Sequence, residues 1–480
     1  MPVFFRVLSI VLIFVAGPAK AEWPAQSASL GAKEHPKVLQ QYGGAVQNSG
    51  LSAYVSDIGA RVIAVSDRPN EIWRFTVLDS PQVNAFALPG GYVYVTRGLL
   101  ALANSESELA AVLAHEVIHV TEQHVEARQE AQKDALVNGA LSALVTGIIG
   151  GGENRVGNAV RSGVESALGD IGSYSKEQEF AADAGGIALL RRAGYRPAAQ
   201  ADFLASMSAN AALKAEIAGR DFDESTTPFF ANHPAPAERQ LRALALAGDE
   251  DGNRGIEEYL AAIDGIIFGQ SARGGFVDGQ VFTHSELGFT FEAAEGLRIQ
   301  NAARQINILG PDRSTLILSG APDSGNLSND LAAWAAQIPR TERISRRIDN
   351  QRRLTINGLE AITGTLRLRK RGKRSTLQMT LIRFEGNLIR FAATVQRGDT
   401  VSEALHWQTV QSFRPLAARA SAQNRETYIR IHRVARGENA SGLAREMAIA
   451  GYNEAWFRVL NGQSDHSEIL VGQLVKLVSR

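Results

Sequence analysis

Two histidines and a glutamate are set within five residues of an apolar segment of this 480-residue chain. His115, Glu116 and His119 lie inside Leu109–Val120, where nearly every other residue is apolar. Because the segment is apolar on all sides, it predicts a buried helix. Burying three titratable side chains is unfavourable unless a partner satisfies them, and a metal ion is such a partner.

The spacing of the two histidines fits a shared metal ion. On a helix, residues four apart differ by about 40° in direction and about 6 Å in height, so His115 and His119 point the same way. Two such imidazoles can bind one zinc ion at about 2.0–2.1 Å. Glu116 would then lie beside the metal-bound water, where a general base is needed. The alternative is a pair of surface or hydrogen-bonded histidines, which the apolar surroundings disfavour.

A second predicted helix offers carboxylates to the same site. Glu179 and Asp183 are four residues apart and share one face of this helix. Glu179 could be a third metal ligand, and Asp183 could hydrogen-bond a ligand histidine from behind. Glu177 is a competing ligand on another face, and the residues by themselves leave both open. Farther along, His233 either donates a hydrogen bond to a transition state or is a loop histidine without a role.

Two strands are predicted to lead into the histidine-bearing helix. Glu71–Leu78 alternates in polarity, and Tyr92–Thr96 is β-branched and aromatic. Pro89-Gly90-Gly91 between them is typical of a turn. Ser105, followed three residues later by Glu108, predicts a capping box at the start of the helix.

The N-terminus predicts export. Residues 1–21 contain a basic residue (Arg6), an apolar run (Val7–Ala16) and a small-residue cleavage site (Ala19-Lys20-Ala21), which together are typical of a secretory signal peptide. The run is short for a membrane span, so we expect cleavage and not an uncleaved anchor. No later segment has about 18 uninterrupted apolar residues, so we expect no transmembrane helix in the mature chain. Peripheral membrane contact stays open.

Composition and charge limit the remaining possibilities. The chain is 45% hydrophobic and 21% charged, as in globular proteins, and its length allows about two to four domains. It has no cysteine, which excludes disulfides, thiolate zinc sites and a cysteine nucleophile. Residues 271–430 carry 23 basic and 14 acidic residues, which is compatible with an anionic partner or with a solvated basic face.

The predicted fold is a multidomain α+β chain. After the signal peptide we expect a mostly helical zincin protease domain with a small sheet at 22–267. An antiparallel α+β domain at 280–416 is expected next, with a meander over 354–395 in which Asn357-Gly358, Arg371-Gly372-Lys373 and Glu385-Gly386-Asn387 are hairpin turns. A small strand-helix-helix-strand unit is expected at 428–480.

Residues 36–245 resemble the gluzincin zinc metallopeptidases of the BepA, HtpX and mitochondrial Oma type, in the superfamily of the type-1 CAAX prenyl endopeptidases. The resemblance rests on four pieces in order: the segment Asn84–Gly91, the His115–His119 motif, Glu179 with Asp183 after Tyr174-Ser175, and His233-Pro234 with Arg239.

The resemblance implies a role for each site residue. The zinc ligands fall on His115, His119 and Glu179, which decides for Glu179 over Glu177. Glu116 becomes the general base, Asp183 the acid behind a ligand, and His233 a catalytic histidine near the fourth zinc position. Arg239 becomes a substrate or structural arginine. An extended peptide substrate is expected to pair along the strand formed by Tyr92, Val93, Tyr94, Val95 and Thr96.

The C-terminal unit resembles a LysM module, which is a peptidoglycan-binding fold. Gly437-Glu438-Asn439 stands where the common pattern is Gly-Asp-Thr, whereas Asn461-Gly462 and Gly472-Gln473 match it. The resemblance implies that residues 428–480 contact peptidoglycan.

Together these features predict a periplasmic zinc endopeptidase that cleaves misfolded or envelope proteins. One zinc ion per chain and polypeptide substrates are expected, and no nucleic acid. The alternative is an envelope assembly factor or chaperone-like scaffold, bound to peptidoglycan, with little proteolysis. Glu116 argues against a pure scaffold, because a scaffold needs no general base. A peptidoglycan hydrolase that uses the same zinc is a third hypothesis.

Overall fold

A computed structural model describes most of the chain. The described residues are 23–124, 174–222, 233, 236–302, 305–310, 314–338, 343–344, 347–370, 373–417, 426–464 and 467–480. The predicted signal peptide and residues 371–372 of one predicted hairpin turn lie outside these residues. The mixed α+β class is confirmed: a helical region with a small sheet is followed by a region dominated by sheets.

The N-terminal region, residues 23–268, begins with two helices and a three-stranded sheet. The helices are α1 (Ala25–Gln41) and α2 (Ser49–Ala64), and the strands are β1 (Arg74–Leu78), β2 (Ala85–Leu88) and β3 (Tyr92–Thr96). The strand order is β1-β3-β2, with β3 parallel to β1 and antiparallel to β2.

This strand order contradicts the prediction that substrate pairs along Tyr92–Thr96. All five residues of β3 pair with β1, and four of them also pair with β2 on the other side. The backbone groups of β3 are therefore already used within the sheet, and β1 and β2 are its two outer strands. The error arose because strand order is a tertiary property that the local sequence pattern does not carry.

The other elements described in the N-terminal region are mainly helices. They are α3 (Arg97–Leu102), α4 (Glu106–Thr121), α5 (Lys176–Arg192), α6 (Ala199–Ile217), α7 (Pro236–Ala247) and α8 (Ile256–Ile263), followed by the short strand β4 (Ile267–Phe268). The predicted apolar helix is α4, and every residue from Glu106 to Val120 is buried.

The start of α4 differs in detail from the predicted capping box. Ser105 is the N-cap and its hydroxyl accepts a hydrogen bond from the backbone N–H of Glu108, as a capping box requires. The Glu108 carboxylate instead accepts from the backbone N–H of Asn104, one residue before the cap. Ser105 and Glu108 therefore both accept hydrogen bonds from backbone N–H groups at the helix start, but Glu108 bonds to Asn104 and not to Ser105.

The middle region, residues 276–415, contains two antiparallel sheets and two helices. A four-stranded sheet has the order β16-β7-β6-β5, and an eight-stranded sheet contains β8 to β15. The elements are β5 (Phe276–Asp278), β6 (Val281–His284), β7 (Phe289–Glu292), β8 (Arg298–Asn301), β9 (Ile306–Leu309), β10 (Thr315–Pro322), α9 (Leu327–Gln337), β11 (Arg343–Ile344), β12 (Asp349–Ile356), β13 (Leu359–Lys370), β14 (Lys373–Phe384), β15 (Asn387–Gln396), α10 (Thr400–Gln411) and β16 (Arg414–Pro415).

Two hairpin turns of the middle region lie where the sequence predicts them. Asn357 and Gly358 have φ values of 47° and 84°, and Glu385 and Gly386 have 48° and 72°. Consecutive positive φ angles are those of a type I′ turn, which matches the twist of paired strands. The core between the two sheets is aromatic and contains Phe282, Phe289, Phe291, Phe384, Phe391 and Phe413.

The C-terminal unit, residues 427–480, has the predicted strand-helix-helix-strand order. It consists of β17 (Thr427–Arg433), α11 (Ala440–Glu446), α12 (Asn453–Leu460) and β18 (Leu474–Ser479). Its two strands form one sheet with β4, in the order β18-β17-β4. Because Phe268 of β4 is paired with Thr427 of β17, the chain leaves for the middle region and returns from it at neighbouring points.

The C-terminal unit shares its core with the N-terminal region. Ile429, Phe457 and Val475 belong to the same hydrophobic cluster as Leu99 of α3 and Leu113 of α4.

Lys476 joins the two parts by hydrogen bonds. Its side chain is fully buried, and its Nζ donates to the carbonyl oxygens of Ala101, Leu102 and Ala103 at 3.0, 3.1 and 2.7 Å. These carbonyls end α3 and have no partner within the helix. Three acceptors match the three N–H donors of an ammonium group. The unit predicted as a separate module is thus packed into the structure that supports α4.

No helix in the described ranges is long and apolar enough to cross a membrane.

Candidate metal centre

Helices α4 and α5 pack against each other and carry most of the predicted site. His115, Glu116 and His119 come from α4, and Glu179 and Asp183 come from α5.

Two glycines allow the close contact between α4 and α5. A Cβ atom at Gly186 would lie 3.3 Å from the backbone nitrogen of His115, and one at Gly185 would lie 2.8 Å from Cδ1 of Ile118. Larger residues at these positions would push the ligand-bearing helices apart.

Four side chains meet between these helices and form what we call the ligand cluster: His115, His119, Glu179 and His233. One ligand atom of each lies within 4.8 Å of those of the others, and all four residues are buried. The Nε2 atoms of His115 and His119 are 3.0 Å apart. The distance from His115 Nε2 to Glu179 Oε2 is 3.5 Å. Glu177, the competing candidate, is exposed.

His233 lies inside the cluster. Its Nδ1 atom is 3.0 Å from Glu179 Oε1 and 3.3 Å from His115 Nε2. The resemblance implied a histidine near the fourth zinc position, and the structure places this ring among the side chains that could hold one metal ion.

The donor set fits a zinc ion. Imidazole nitrogens and a carboxylate oxygen are preferred zinc ligands, and the measured separations suit a single small ion among them. Glu116 provides an independent observation: it is fully buried, and neither of its carboxylate oxygens has a hydrogen-bond partner among the described residues. Such a group is costly unless a ligand such as metal-bound water completes it. Burial raises the pKa of Glu116, as suits a group that must accept and return a proton.

A buried ion-pair network supports the ligands from α5 and α7. Asp183 Oδ1 lies 3.0 Å from His115 Nδ1. Arg239 of α7 donates to Asp183 through Nε at 2.7 Å and through Nη2 at 2.8 Å. The Nη1 atom of the same arginine lies 2.6 Å from Glu179 Oε2. Arg239 therefore contacts both carboxylates.

The network sets the charges of the cluster. Burial by itself would raise the pKa of Glu179, but His233 and Arg239 hold that pKa well below its usual range. Burial likewise opposes ionisation of Asp183, but Arg239 lowers the pKa of that carboxyl to about 2. Burial lowers the pKa of His119 well below its usual range, which favours the neutral form that binds metal.

Two aromatic residues that the sequence patterns did not single out as site residues contact His119. The ring of Tyr174 stacks on it with centroids 3.8 Å apart and an interplanar angle of 17°. The Nδ1 atom of His124 lies 3.0 Å from His119 Nδ1. The available signal was a third histidine shortly after the His115–His119 motif, but it lies beyond the end of α4, where helical spacing no longer applies.

The arrangement combines four buried side chains that could hold a zinc ion with a buried carboxylate, as in a zinc metallopeptidase. Residues 50–246 match the model of Peptidase family M48, which confirms the predicted metalloendopeptidase class for this part of the chain.

Curated relatives agree with this class. The chain is 32% identical over 159 residues to the beta-barrel assembly-enhancing protease of Yersinia pestis, a match that covers 33% of each chain. It is 26% identical over 212 residues to the protein of that name in Escherichia coli strain K12, covering 42% of each. It is 39% identical over 113 residues to the mitochondrial metalloendopeptidase OMA1 of Schizosaccharomyces pombe, covering 23% of this chain and 32% of the relative. The chain thus spans about a third to two fifths of the length of these relatives.

Proposed function

We propose that this chain is a zinc-dependent endopeptidase of the periplasm that hydrolyses misfolded or envelope proteins. The observation that carries the proposal is the presence, beside the ligand cluster, of the buried Glu116 carboxylate, whose oxygens have no hydrogen-bond partner among the described residues. A scaffold would have no use for that carboxylate, because an unsatisfied buried acid only destabilises the fold.

The proposed mechanism assigns one task to each group. His115, His119 and Glu179 would hold the zinc, which when bound supplies a Lewis acid and lowers the pKa of a bound water to about 7. Glu116 would accept a proton from the attacking water and return it to the leaving amine.

The surrounding residues would support these steps. Asp183 would orient His115 through Nδ1, and Arg239 would hold both carboxylates in place. His233 would either fill the fourth ligand position or move aside and donate a hydrogen bond to the developing oxyanion.

We propose β2, one of the two outer strands, in place of β3 as the pairing strand for substrate. Ala85–Leu88 uses one edge for β3, and no strand in the described part of the chain pairs with its other edge. An extended peptide could add to that edge through main-chain hydrogen bonds. Helix α4, which carries His115 and His119, packs directly against β2.

Location and substrate class rest on two supports. The first is the signal-like segment 1–21 with its small-residue cleavage site. The second is the name of the bacterial relatives, beta-barrel assembly-enhancing protease, which points to substrates of the cell envelope. Contact between residues 428–480 and peptidoglycan remains a hypothesis, and co-sedimentation of the purified protein with cell-wall sacculi tests it.

The test of the proposed function is a paired measurement. Residues 22–480 and the Glu116→Gln variant are assayed for zinc content and for cleavage of an unfolded protein. We expect one zinc in both and cleavage only by the unmodified protein. Zinc in both with cleavage by neither would favour the scaffold alternative, and zinc in neither would refute the ligand assignment.

A further inference from the structure

The outward nitrogen of His119 faces a second histidine. His119 Nε2 points into the ligand cluster, 3.0 Å from His115 Nε2 and 3.3 Å from Glu179 Oε1. Its Nδ1 points the other way and lies 3.0 Å from His124 Nδ1, within hydrogen-bond distance. His124 is itself buried.

These contacts determine which nitrogen carries the proton. A histidine that binds metal through Nε2 must carry its proton on Nδ1. The proton of His119 then points at His124 Nδ1, which must accept it, so the proton of His124 lies on Nε2. That Nε2 atom is 3.2 Å from Glu122 Oε2, which can accept it in turn. The result is an ordered chain of hydrogen bonds from Glu122 through His124 to His119.

The backbone is shaped to make this contact. Helix α4 ends at Thr121, and Gln123 then has a φ of 56°. This left-handed conformation is unfavourable for a residue with a side chain, and such residues cluster where function requires a particular geometry. Here it turns the chain back so that His124 faces the last ligand of the helix. Tyr174 stacks on the face of the same ring, so His119 is held both in its plane and at its edge.

The two α4 ligands are thus supported by different chemistry. The Nδ1 atom of His115 contacts the ionised Asp183, which Arg239 holds in a buried network. The Nδ1 atom of His119 contacts the neutral imidazole of His124, which in turn contacts the half-exposed carboxylate of Glu122.

We propose that His124 is a positioning residue of the metal centre, which fixes the tautomer and the orientation of His119. The inference rests on the proposed zinc site, and it adds a residue that neither the sequence motifs nor the ligand cluster contains. Removing such a partner is expected to weaken metal binding about 10- to 100-fold.

Two substitutions separate the hydrogen bond from the packing. His124→Phe keeps an aromatic ring but has no acceptor. His124→Asn is smaller, but its amide oxygen can accept at the position of Nδ1. His432→Phe, in β17 of the C-terminal unit, is the matched control, because that histidine contacts Glu438 and no residue of the ligand cluster.

The experiment measures zinc dissociation constants by competition with a chromogenic chelator, together with the unfolding temperatures of the metal-free forms and the cleavage of an unfolded protein. We expect His124→Phe to bind zinc about 10- to 100-fold more weakly. We expect His124→Asn to recover most of that loss and His432→Phe to bind like the unmodified protein. The metal-free forms should unfold at similar temperatures.

The outcomes distinguish the two proposals. If the unmodified protein binds zinc and cleaves substrate but His124→Phe binds zinc equally well, the positioning role is refuted and the proposed function stands. If both His124 variants lose zinc affinity equally, packing and not the hydrogen bond is responsible, which also overturns the proposal. If the unmodified protein binds no zinc, both proposals fall.

Discussion

The N-terminal region buries a connected group of titratable side chains, whereas the middle region has an aromatic core. Within α4 and α5, His115, Glu116, His119, Glu179 and Asp183 are all buried and lie in one connected group. The core of the middle region instead contains six phenylalanine rings. Its histidines have separate partners: His406 pairs with Ser314, and His284 accepts a hydrogen bond from the backbone N–H of Leu287.

The difference shows that the N-terminal region tolerates the cost in folding stability of burying charged groups. A connected group of buried charges is expensive to assemble, so its presence points to a use beyond folding. The aromatic core needs no such explanation, because burying large apolar rings is favourable by itself. Buried charge alone is not sufficient evidence of function, however, since Lys476 is also buried and satisfies all three of its donors.

The largest expected effect in the N-terminal region is on chemistry and not on folding. Glu116→Gln removes the base but keeps the shape and the burial of the side chain. We expect cleavage of an unfolded protein to fall by about 10²- to 10⁴-fold, with zinc content and thermal unfolding nearly unchanged. A steady-state rate measurement together with metal analysis checks this. A Glu116→Gln protein that retains its rate would show that the buried polar group of the N-terminal region does not act through Glu116.

A substitution in the aromatic core of the middle region should change the free energy of unfolding and leave zinc binding unchanged. Phe391→Ala opens a cavity beside Phe291 and Phe413, whose rings lie 6.2 and 6.0 Å from it. We expect a loss of about 3–5 kcal/mol in the free energy of unfolding of this region. Zinc affinity should not change. Denaturant unfolding and chelator competition on the same sample test both statements, and a loss of zinc would show that the regions are coupled.

The third prediction concerns the link between the C-terminal unit and the N-terminal region. Lys476→Met has a similar length but removes the ammonium donor from the carbonyls of Ala101, Leu102 and Ala103, of which Leu102 keeps a hydrogen bond from Asn104 Nδ2. We expect the free energy of unfolding to decrease by about 1–3 kcal/mol, with zinc stoichiometry retained. Lys476→Arg is a useful comparison, because it restores donors in a larger group. An unchanged unfolding curve for Lys476→Met would mean that the C-terminal unit does not support α3.

The smallest expected effect is a pH dependence in the middle region. Burial lowers the pKa of His284 to about 4, compared with 6.5 in the unfolded chain. Its Nδ1 accepts a hydrogen bond from the backbone N–H of Leu287, which requires this nitrogen to be unprotonated. The unfolded state therefore binds more protons between pH 6.5 and 4, so stability is full above this range and falls as pH decreases through it.

His284→Phe should reduce that pH dependence. Unfolding curves of both proteins at several pH values between 6.5 and 4 measure the difference. Equal slopes for the two proteins would contradict the assigned role of His284.

Local chemistry made much of this protein predictable. The apolar run around His115 and His119 predicted a buried helix because no face of it is polar. The glycines of Asn357-Gly358 and Glu385-Gly386 predicted two hairpin turns, and both turns have consecutive positive φ angles. In each case the determining interactions lie within a few residues of each other.

Other features were decided by the tertiary structure, because they depend on which distant residues meet. Strand order put Tyr92–Thr96 in the centre of its sheet, between the outer strands β1 and β2. Chain folding brought His233 to His115 across 118 positions and Lys476 to Ala103 across 373. The left-handed turn at Gln123 placed His124 behind a ligand. Sequence spacing predicts direction within one helix or strand, but it carries no information about the contacts made after the chain turns.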